Sequence, residues 1–418
     1  MTRLAFFSPV PPAPTGIADY SAEVLGLLAP GYDVEVFHDQ DAADPLPCSA
    51  HRADAFASRH ASKPYDLVVY QIGNAPAHAF AYETLARVPG LLVLHDLVLH
   101  HARARMFLDT PAGRAYAHDP SNAALRDAAL REIEPYRREV TLSYPDQADR
   151  LVLAHLATVG DLLPYAYPLF RMPVEASRLV AVHNDYTARA IRAEAPGVEV
   201  VGIPMAATRT AVAPEATLVL RERYGLRAGD FVVGSFGLMT REKQIGTVAR
   251  AVVRAAETIP DLRLVLVGPV PDPRALAAQL DALGVRDRTV MTGRVPLDEL
   301  PAHMEMADAV VHLRYPTARE TSAALLRVLA QGRPTIVSDL EHLADVPDDA
   351  VIRADMSDEE GDVTRGILRL AARPDLRARL GANAAAFALR EHSPARCLAA
   401  YEAAIERAMR LPDPRPQT

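Results

Sequence analysis

The sequence predicts an α/β chain built on two doubly wound parallel sheets, and three observations carry that expectation. Short aliphatic runs recur along the chain without polar alternation, the pattern of strands buried on both faces. Between them lie stretches whose apolar residues return every three or four positions, the period of an amphipathic helix. From Gly202 to Pro214 neither period is present, and Pro204 with threonines and small residues marks a linker between two halves of like architecture.

In the first half, Leu4 to Ser8 stops at Pro9, Pro11, Pro12 and Pro14, then gives way to Ile17, Tyr20, Val24, Leu27 and Leu28 at helical spacing. Strand, loop and helix are predicted in that order. Val34–Phe37, Leu67–Tyr70 and Leu91–Leu94 supply further strands joined by crossover helices. Residues 102–175 break the rhythm. Ala123 to Arg138 and Ala148 to Leu163 read as helices with no strand between, so a helical insertion is expected in the first domain. Strands resume at Leu179–Val182, which ends at His183-Asn184, and at Val198–Val201. After the linker, Phe231–Val233, Leu262–Val267, Thr289–Met291, Ala309–Leu313 and Thr335–Val337 alternate with helical stretches, a second doubly wound unit of about five strands. Helical patterns run on from Asp358, and Pro412 to Thr418 is expected to fray.

Composition narrows the function. Lys and Arg total 45 against 53 Asp and Glu, a net charge of −8 without a long basic run, which argues against a general nucleic-acid or anionic-membrane binder. Cys48 and Cys397 are too few for a disulfide framework, and the start lacks a charged leader with an apolar core, so a cytoplasmic protein is expected. No run approaches the roughly 20 apolar residues of a membrane span, so membrane contact would be peripheral at most.

Ligands of open α/β sheets lie beyond the carboxyl ends of the strands, and two such sheets are expected to face a cleft. In FGLMTREK, which follows the strand at Phe231, Gly237 admits a ligand close to the backbone while Arg241 and Lys243 place two cations beside a helix start, a set suited to a diphosphate. The spacing matches neither the dinucleotide nor the P-loop glycine pattern. In residues 314–339, a loop carrying Glu320 leads into a helix predicted from Thr321 or Ser322 and stopped by Gly332 and Pro334. Its free N–H groups with the Thr321 and Ser322 hydroxyls can hold phosphate. Glu320 beside them can grip sugar hydroxyls, or simply favour the helix dipole.

In the first domain, Gly16 sits in the proline-rich loop, His95-Asp96 ends the Leu91 strand, and Gln71, Gly73, Asn74 and His78 follow the Leu67 strand as an acceptor-side cluster. Asp96 could equally cap the next helix. His95, His100 and His101 are not completed into a metal set, so no metal is expected. Asp39-Gln40-Asp41 reads as a solvated turn.

These motifs resemble the retaining glycosyltransferases of the GT-B fold known as family 4, in a divergent branch with an ETS motif. The resemblance runs through SPVPPAPTGIADYSAEVL, VLHD, FGLMTREK, LVLVG, DELPAHMEMADAVVHL and ETSAALLRVLAQGRPTIVSD. It implies two Rossmann-like domains facing a cleft: residues 1–205 on the acceptor side with the insertion at 102–175, residues 215–385 on the donor side, and residues 386–418 packing back on the first domain. It implies a sugar transferred from a nucleoside-diphosphate sugar, with retention of anomeric configuration and no bound cofactor or metal. Lys243 and Arg241 would grip the diphosphate, Glu320 the donor sugar, Gly16 the phosphates or acceptor, and His95 would face the reaction centre. Asn74, His78 and Asp96 would lie on the acceptor side. A glycan or lipid-linked acceptor at the inner face of the membrane would fit; Arg103, Arg105 and the apolar DLLPYAYPLF stretch of the insertion could meet it, although packing against the first domain is the simpler explanation for them. The family's second Glu, a ribose contact, has no counterpart, since Arg327 and Val328 stand where it is sought. A nucleotide-sugar epimerase of the same fold and a non-catalytic sugar-nucleotide or glycan binder are the alternatives.

Overall fold

A computed structural model describes residues 1–108, 110–157 and 162–414. The chain divides into two compact units. The first comprises Met1–Pro204, Ala318–Thr321 and the residues from Cys397 onward, and the second comprises Met205–Thr317 and Ser322–Arg396.

The first unit is built on a parallel seven-stranded sheet of β1 (Arg3–Phe7), β2 (Asp33–His38), β3 (Ser49–Arg52), β4 (Leu67–Ile72), β5 (Leu91–Leu94), β6 (Leu179–Val182) and β7 (Val200–Gly202), in the order β3-β2-β1-β4-β5-β6-β7. The central strands are buried along their whole length, as their apolar runs require; the polar Arg3 and Gln71 within them are bonded to Glu35 and His95. The strand order reverses between β1 and β4. The loops leaving their carboxyl ends therefore part to opposite faces and open a crevice there. The sequence reading passed over β3, because Ser49-Ala50-His51-Arg52 is a half-exposed edge strand paired only to β2 and needs no apolar pattern.

Helices from His100–Leu108 to Arg171–Glu175 form the insertion, around a core that includes Tyr136, Val140 and Val152. The single helix expected over Ala123–Arg138 is instead two, Ala123–Glu132 and Glu134–Ser143. Pro135 explains the break, since proline is tolerated in the first turn of a new helix and not inside a continuing one. The helix expected to Leu163 ends at Leu156, and its tail falls partly on residues 158–161, outside the described residues. The expectation for Pro412–Thr418 likewise falls largely on residues 415–418, outside them.

The second unit has six parallel strands, β8 (Phe231–Phe236), β9 (Leu262–Val267), β10 (Thr289–Gly293), β11 (Ala309–His312), β12 (Thr335–Ser338) and β13 (Val351–Ala354), in the order β10-β9-β8-β11-β12-β13. Here the order reverses between β8 and β11, at the loops that carry Lys243 and Arg314. The edge strand β13 was not read from sequence.

Two boundaries differ from expectation. The helix Pro374–Glu391 stays with the second unit, where Gly381 comes so close to Gly332 that a Cβ would meet the Gly332 carbonyl at 2.2 Å, so the return to the first unit begins at Cys397 rather than 386. The segment Ala318–Thr321, expected in the donor domain, belongs to the first unit because its carbonyls and side chains are bonded there.

Candidate functional site

In the second unit the turn after β8 is shaped by two glycines. Gly237 has φ +107° and Gly268 φ +138°, backbone conformations that side chains disfavour. A Cβ on Gly268 would lie 2.1 Å from the Gly237 carbonyl, so the two backbones touch. The Gly237 N–H donates to the Val267 carbonyl at 2.9 Å and the Met239 N–H to the Pro269 carbonyl at 2.9 Å, lacing this turn to the end of β9. Beneath it the buried Lys243 ammonium donates to the Phe236 carbonyl at 3.0 Å and to His312 Nδ1 at 3.3 Å. Burial, then the Lys243 and Arg314 charges, hold His312 well below the usual imidazole range. His312 is therefore a neutral acceptor for the lysine. Arg241 is exposed on the same turn. The turn is also tied to the loop after β11, where the Tyr315 N–H donates to the Glu242 carbonyl at 2.9 Å and Gln244 Nε2 to the Tyr315 carbonyl at 2.6 Å.

The helix expected from Thr321 or Ser322 spans Ala323–Ala330, with Ser322 as its N-cap: its hydroxyl accepts from the Leu325 N–H at 3.3 Å. Thr321 stands outside the helix, and its hydroxyl accepts from Asn184 in the first unit. Where the second Glu was sought, Val328 is fully buried in an apolar cluster with Phe236 and Val310, and Arg327 is partly exposed. Neither position presents a carboxylate.

In the first unit the structure gathers the predicted polar residues at the ends of β4 and β5. Asp96 Oδ2 accepts from the Asn74 N–H at 2.6 Å, and Asn74 Oδ1 accepts from the Ala102 N–H at 3.0 Å. The helix beyond Asp96 begins at His100, so Asp96 braces the β4 loop instead of capping that helix. A Cβ on Gly73 would lie 2.3 Å from the Ile17 Cδ1 and 2.9 Å from the Asp96 Oδ2, so any side chain there would have to push these two aside. His78 donates from Nδ1 to the Gln71 carbonyl at 3.0 Å, while its buried Nε2 meets no hydrogen-bond partner among the described residues. Burial pushes its pKa down to about 4. Around Gly16 there is open space at the Cβ position, which leaves the backbone approachable.

His95 is 5% exposed and takes its place in a buried polar chain. Its Nε2 lies 2.8 Å from Gln71 Oε1, its Nδ1 3.1 Å from His183 Nε2, and His183 Nδ1 donates to the Ile203 carbonyl at 2.8 Å. Gln71 Nε2 continues to the Tyr401 hydroxyl at 3.3 Å, which meets that of Tyr20 at 2.7 Å. Burial and the neighbouring His183 keep the His95 pKa well below its ordinary value. The catalytic role expected of His95 thus meets a ring whose two nitrogens are both engaged inside the protein.

Sequence reasoning missed Asn184, His183, His312 and Gly268. His183 and Asn184 follow β6 as His95 and Asp96 follow β5, a positional signal that could have found them. Arg103 is packed within the first unit, the simpler of its two readings: it is buried against Glu139 and stacked over the Tyr82 ring at 3.8 Å. In the apolar stretch that begins at Asp161, itself outside the described residues, Leu162 is exposed while Leu169 and Phe170 are buried. Among the described residues no group of three or more His, Cys, Asp or Glu gathers to hold a metal ion, and no helix is long and apolar enough to cross a membrane.

Residues 230–372 match the family model described as Glycosyl transferases group 1. Over 166 residues, 38% of this chain and 43% of the relative, the sequence is 33% identical to a GDP-mannose-dependent alpha-(1-6)-phosphatidylinositol monomannoside mannosyltransferase of Mycolicibacterium smegmatis. The match thus spans less than half of that relative's length. Among solved structures, a sucrose-phosphate synthase from Thermosynechococcus elongatus aligns with TM-score 0.66 at 17% identity, over 97% of both chains. An Anabaena protein, HepE, in complex with UDP and glucose, aligns with TM-score 0.64 at 15% identity, over 97% of this chain and 100% of the other. These likenesses are of fold: a two-domain α/β arrangement of the GT-B kind.

Proposed function

We propose that this chain, whose residues 230–372 carry a glycosyl transferases group 1 domain, is a glycosyltransferase that moves a hexose from a nucleoside-diphosphate sugar to an acceptor hydroxyl. The observation that carries the reading is the Lys243 ammonium, buried beneath the Gly237 turn where the second sheet reverses its strand order, inside the matched stretch. At that place a fixed cation neutralises the charge that grows on the departing diphosphate oxygen, and does so without reorganising during the reaction. Arg241, exposed on the same turn, adds a second cation.

In this reading the donor sugar falls to Glu320, and the anomeric configuration is retained. Asn74, His78 and Asp96 lie on the acceptor side. His95 serves from within, holding Gln71 and His183 in line. Charge neutralisation by Lys243 and Arg241 gives the reaction what it needs without a resident cofactor. The acceptor is proposed to be a glycan or lipid-linked sugar, supported by the name of the mycobacterial relative.

The test is nucleoside-diphosphate release from a panel of UDP-, GDP-, ADP- and dTDP-sugars, with the Lys243→Ala variant beside the wild type. Lys243→Ala is expected to lose roughly 10²–10³-fold in kcat with an unchanged circular dichroism spectrum. Equal rates would reject the diphosphate site. Isomerised donor without an acceptor would point to an epimerase, and binding without turnover to a sugar-nucleotide receptor.

A further inference from the structure

The segment Ala318–Thr321 leaves the second half of the chain, packs in the first unit and returns. The Ala318 carbonyl accepts from the Leu97 N–H at 3.0 Å and the Val98 N–H at 3.3 Å, just beyond Asp96. The Arg319 carbonyl accepts from Asn184 Nδ2 at 3.1 Å and from the Thr187 hydroxyl at 3.3 Å. The Thr321 hydroxyl accepts from the same Asn184 Nδ2 at 3.0 Å. The Arg319 guanidinium donates to the Tyr186 hydroxyl at 3.1 Å and to the Tyr165 carbonyl at 3.2 Å. Arg319 itself holds φ +60°, a left-handed conformation that a non-glycine residue keeps only where its neighbours over-determine it. The residues on either side of Glu320 are thus fixed, and one side chain reaches both.

Asn184 does two separate things. Its Oδ1 accepts from the Thr187 N–H at 2.8 Å and so caps the helix Asp185–Glu194, while its Nδ2 donates to the strap. An amide accepts for the helix and has two N–H groups for the two acceptors of the strap, where a hydroxyl has only one O–H to give. Aspartate caps a helix as well as asparagine does but has no N–H to give.

We propose that Asn184 is a positioning residue, which sets the carboxylate of Glu320 toward the sugar of the donor by gripping the chain on both sides of it. This rests on the reading of Glu320 as the donor-sugar contact. Asn184→Asp keeps the cap and replaces the N–H given to the Arg319 carbonyl with a second oxygen facing it, so it separates the positioning role from a structural one, whereas Asn184→Ala removes cap and grip together and is expected to lower the Tm.

The experiment measures nucleoside-diphosphate release from the sugar nucleotide the wild type turns over, the Kd for the bare nucleoside diphosphate, and hydrogen exchange at Leu97 and Val98, whose N–H groups bond the strap. Asn184→Asp is expected to keep the wild-type Tm and to hold the bare nucleotide within about twofold, while kcat falls on the order of tenfold or more. With Glu320→Gln in the same chain the loss should be no greater than with Glu320→Gln alone, because both act through one group. Exchange at Leu97 and Val98 should quicken. Full turnover in Asn184→Asp, losses that multiply in the double variant, or unchanged exchange would each overturn the proposal. If the wild type releases diphosphate from none of the UDP-, GDP-, ADP- and dTDP-sugars, the donor reading itself fails and with it the role toward the sugar. The exchange measurement then decides independently whether Asn184 holds the strap.

Discussion

The Lys243 ammonium lies 3.3 Å from Nδ1 of His312, and the same ammonium donates to the Phe236 carbonyl at 3.0 Å. A neutral imidazole and a strand-end carbonyl thereby hold a buried cation in one orientation at the reversal of the second sheet. An ammonium carries three donors, and two directional acceptors leave its rotation determined.

His312→Phe removes one of these acceptors while filling a similar volume. Affinity for a bare nucleoside diphosphate is expected to fall about tenfold, since one hydrogen bond to a charged group is worth about 1.5–3 kcal/mol and part of it is regained from water. Calorimetric titration of the variant checks this. An unchanged Kd would show that His312 does not aim Lys243.

Gly268→Ala places a methyl group 2.1 Å from the Gly237 carbonyl in a backbone held at φ +138°. The clash is with main chain, which cannot rotate away, so the second unit should lose on the order of 3 kcal/mol. The midpoint of urea unfolding reports the loss, and nucleotide binding should suffer with it because the Gly237 turn must shift. An unaltered midpoint would mean that the two turns are freer to separate than their hydrogen bonds indicate.

The helical insertion should loosen in mild acid. His100 bonds the Tyr167 carbonyl and the Tyr136 hydroxyl, with the His155 ring 4.5 Å away centroid to centroid. Burial drives His100 down to about 3 and His155 to about 4. Both values lie below the unfolded value of about 6.5, so the unfolded chain takes up protons first. The stability these neutral rings contribute is whole above about pH 6.5 and declines as the pH falls toward 4 and then 3. Hydrogen exchange of helices Glu134–Ser143 and Ala148–Leu156 across this range measures it, and His155→Phe should flatten the decline. A profile that stays level between pH 7 and pH 4, about the window set by these pKa values, would contradict it.

The sequence by itself determined the two parallel sheets, because strands covered on both faces are apolar along their length, as Leu91–Leu94 and Leu179–Val182 are and as Leu262–Val267 is but for Arg263. It also placed Gly237, Lys243, His95 and Glu320 just beyond strands, where α/β sheets present ligands. It was blind to β3 and β13, since an edge strand need not be apolar on both faces. The tertiary structure alone decided what the polar residues do. His95 lies in a hydrogen-bonded chain that passes through Tyr401, more than 300 residues away, and Ala318–Thr321 belongs to the first unit while its sequence neighbours belong to the second. Hydrogen bonds of that kind join groups whose separation along the chain carries no period, so no local pattern announces them, whereas burial acts on every residue of a strand and is written in its composition.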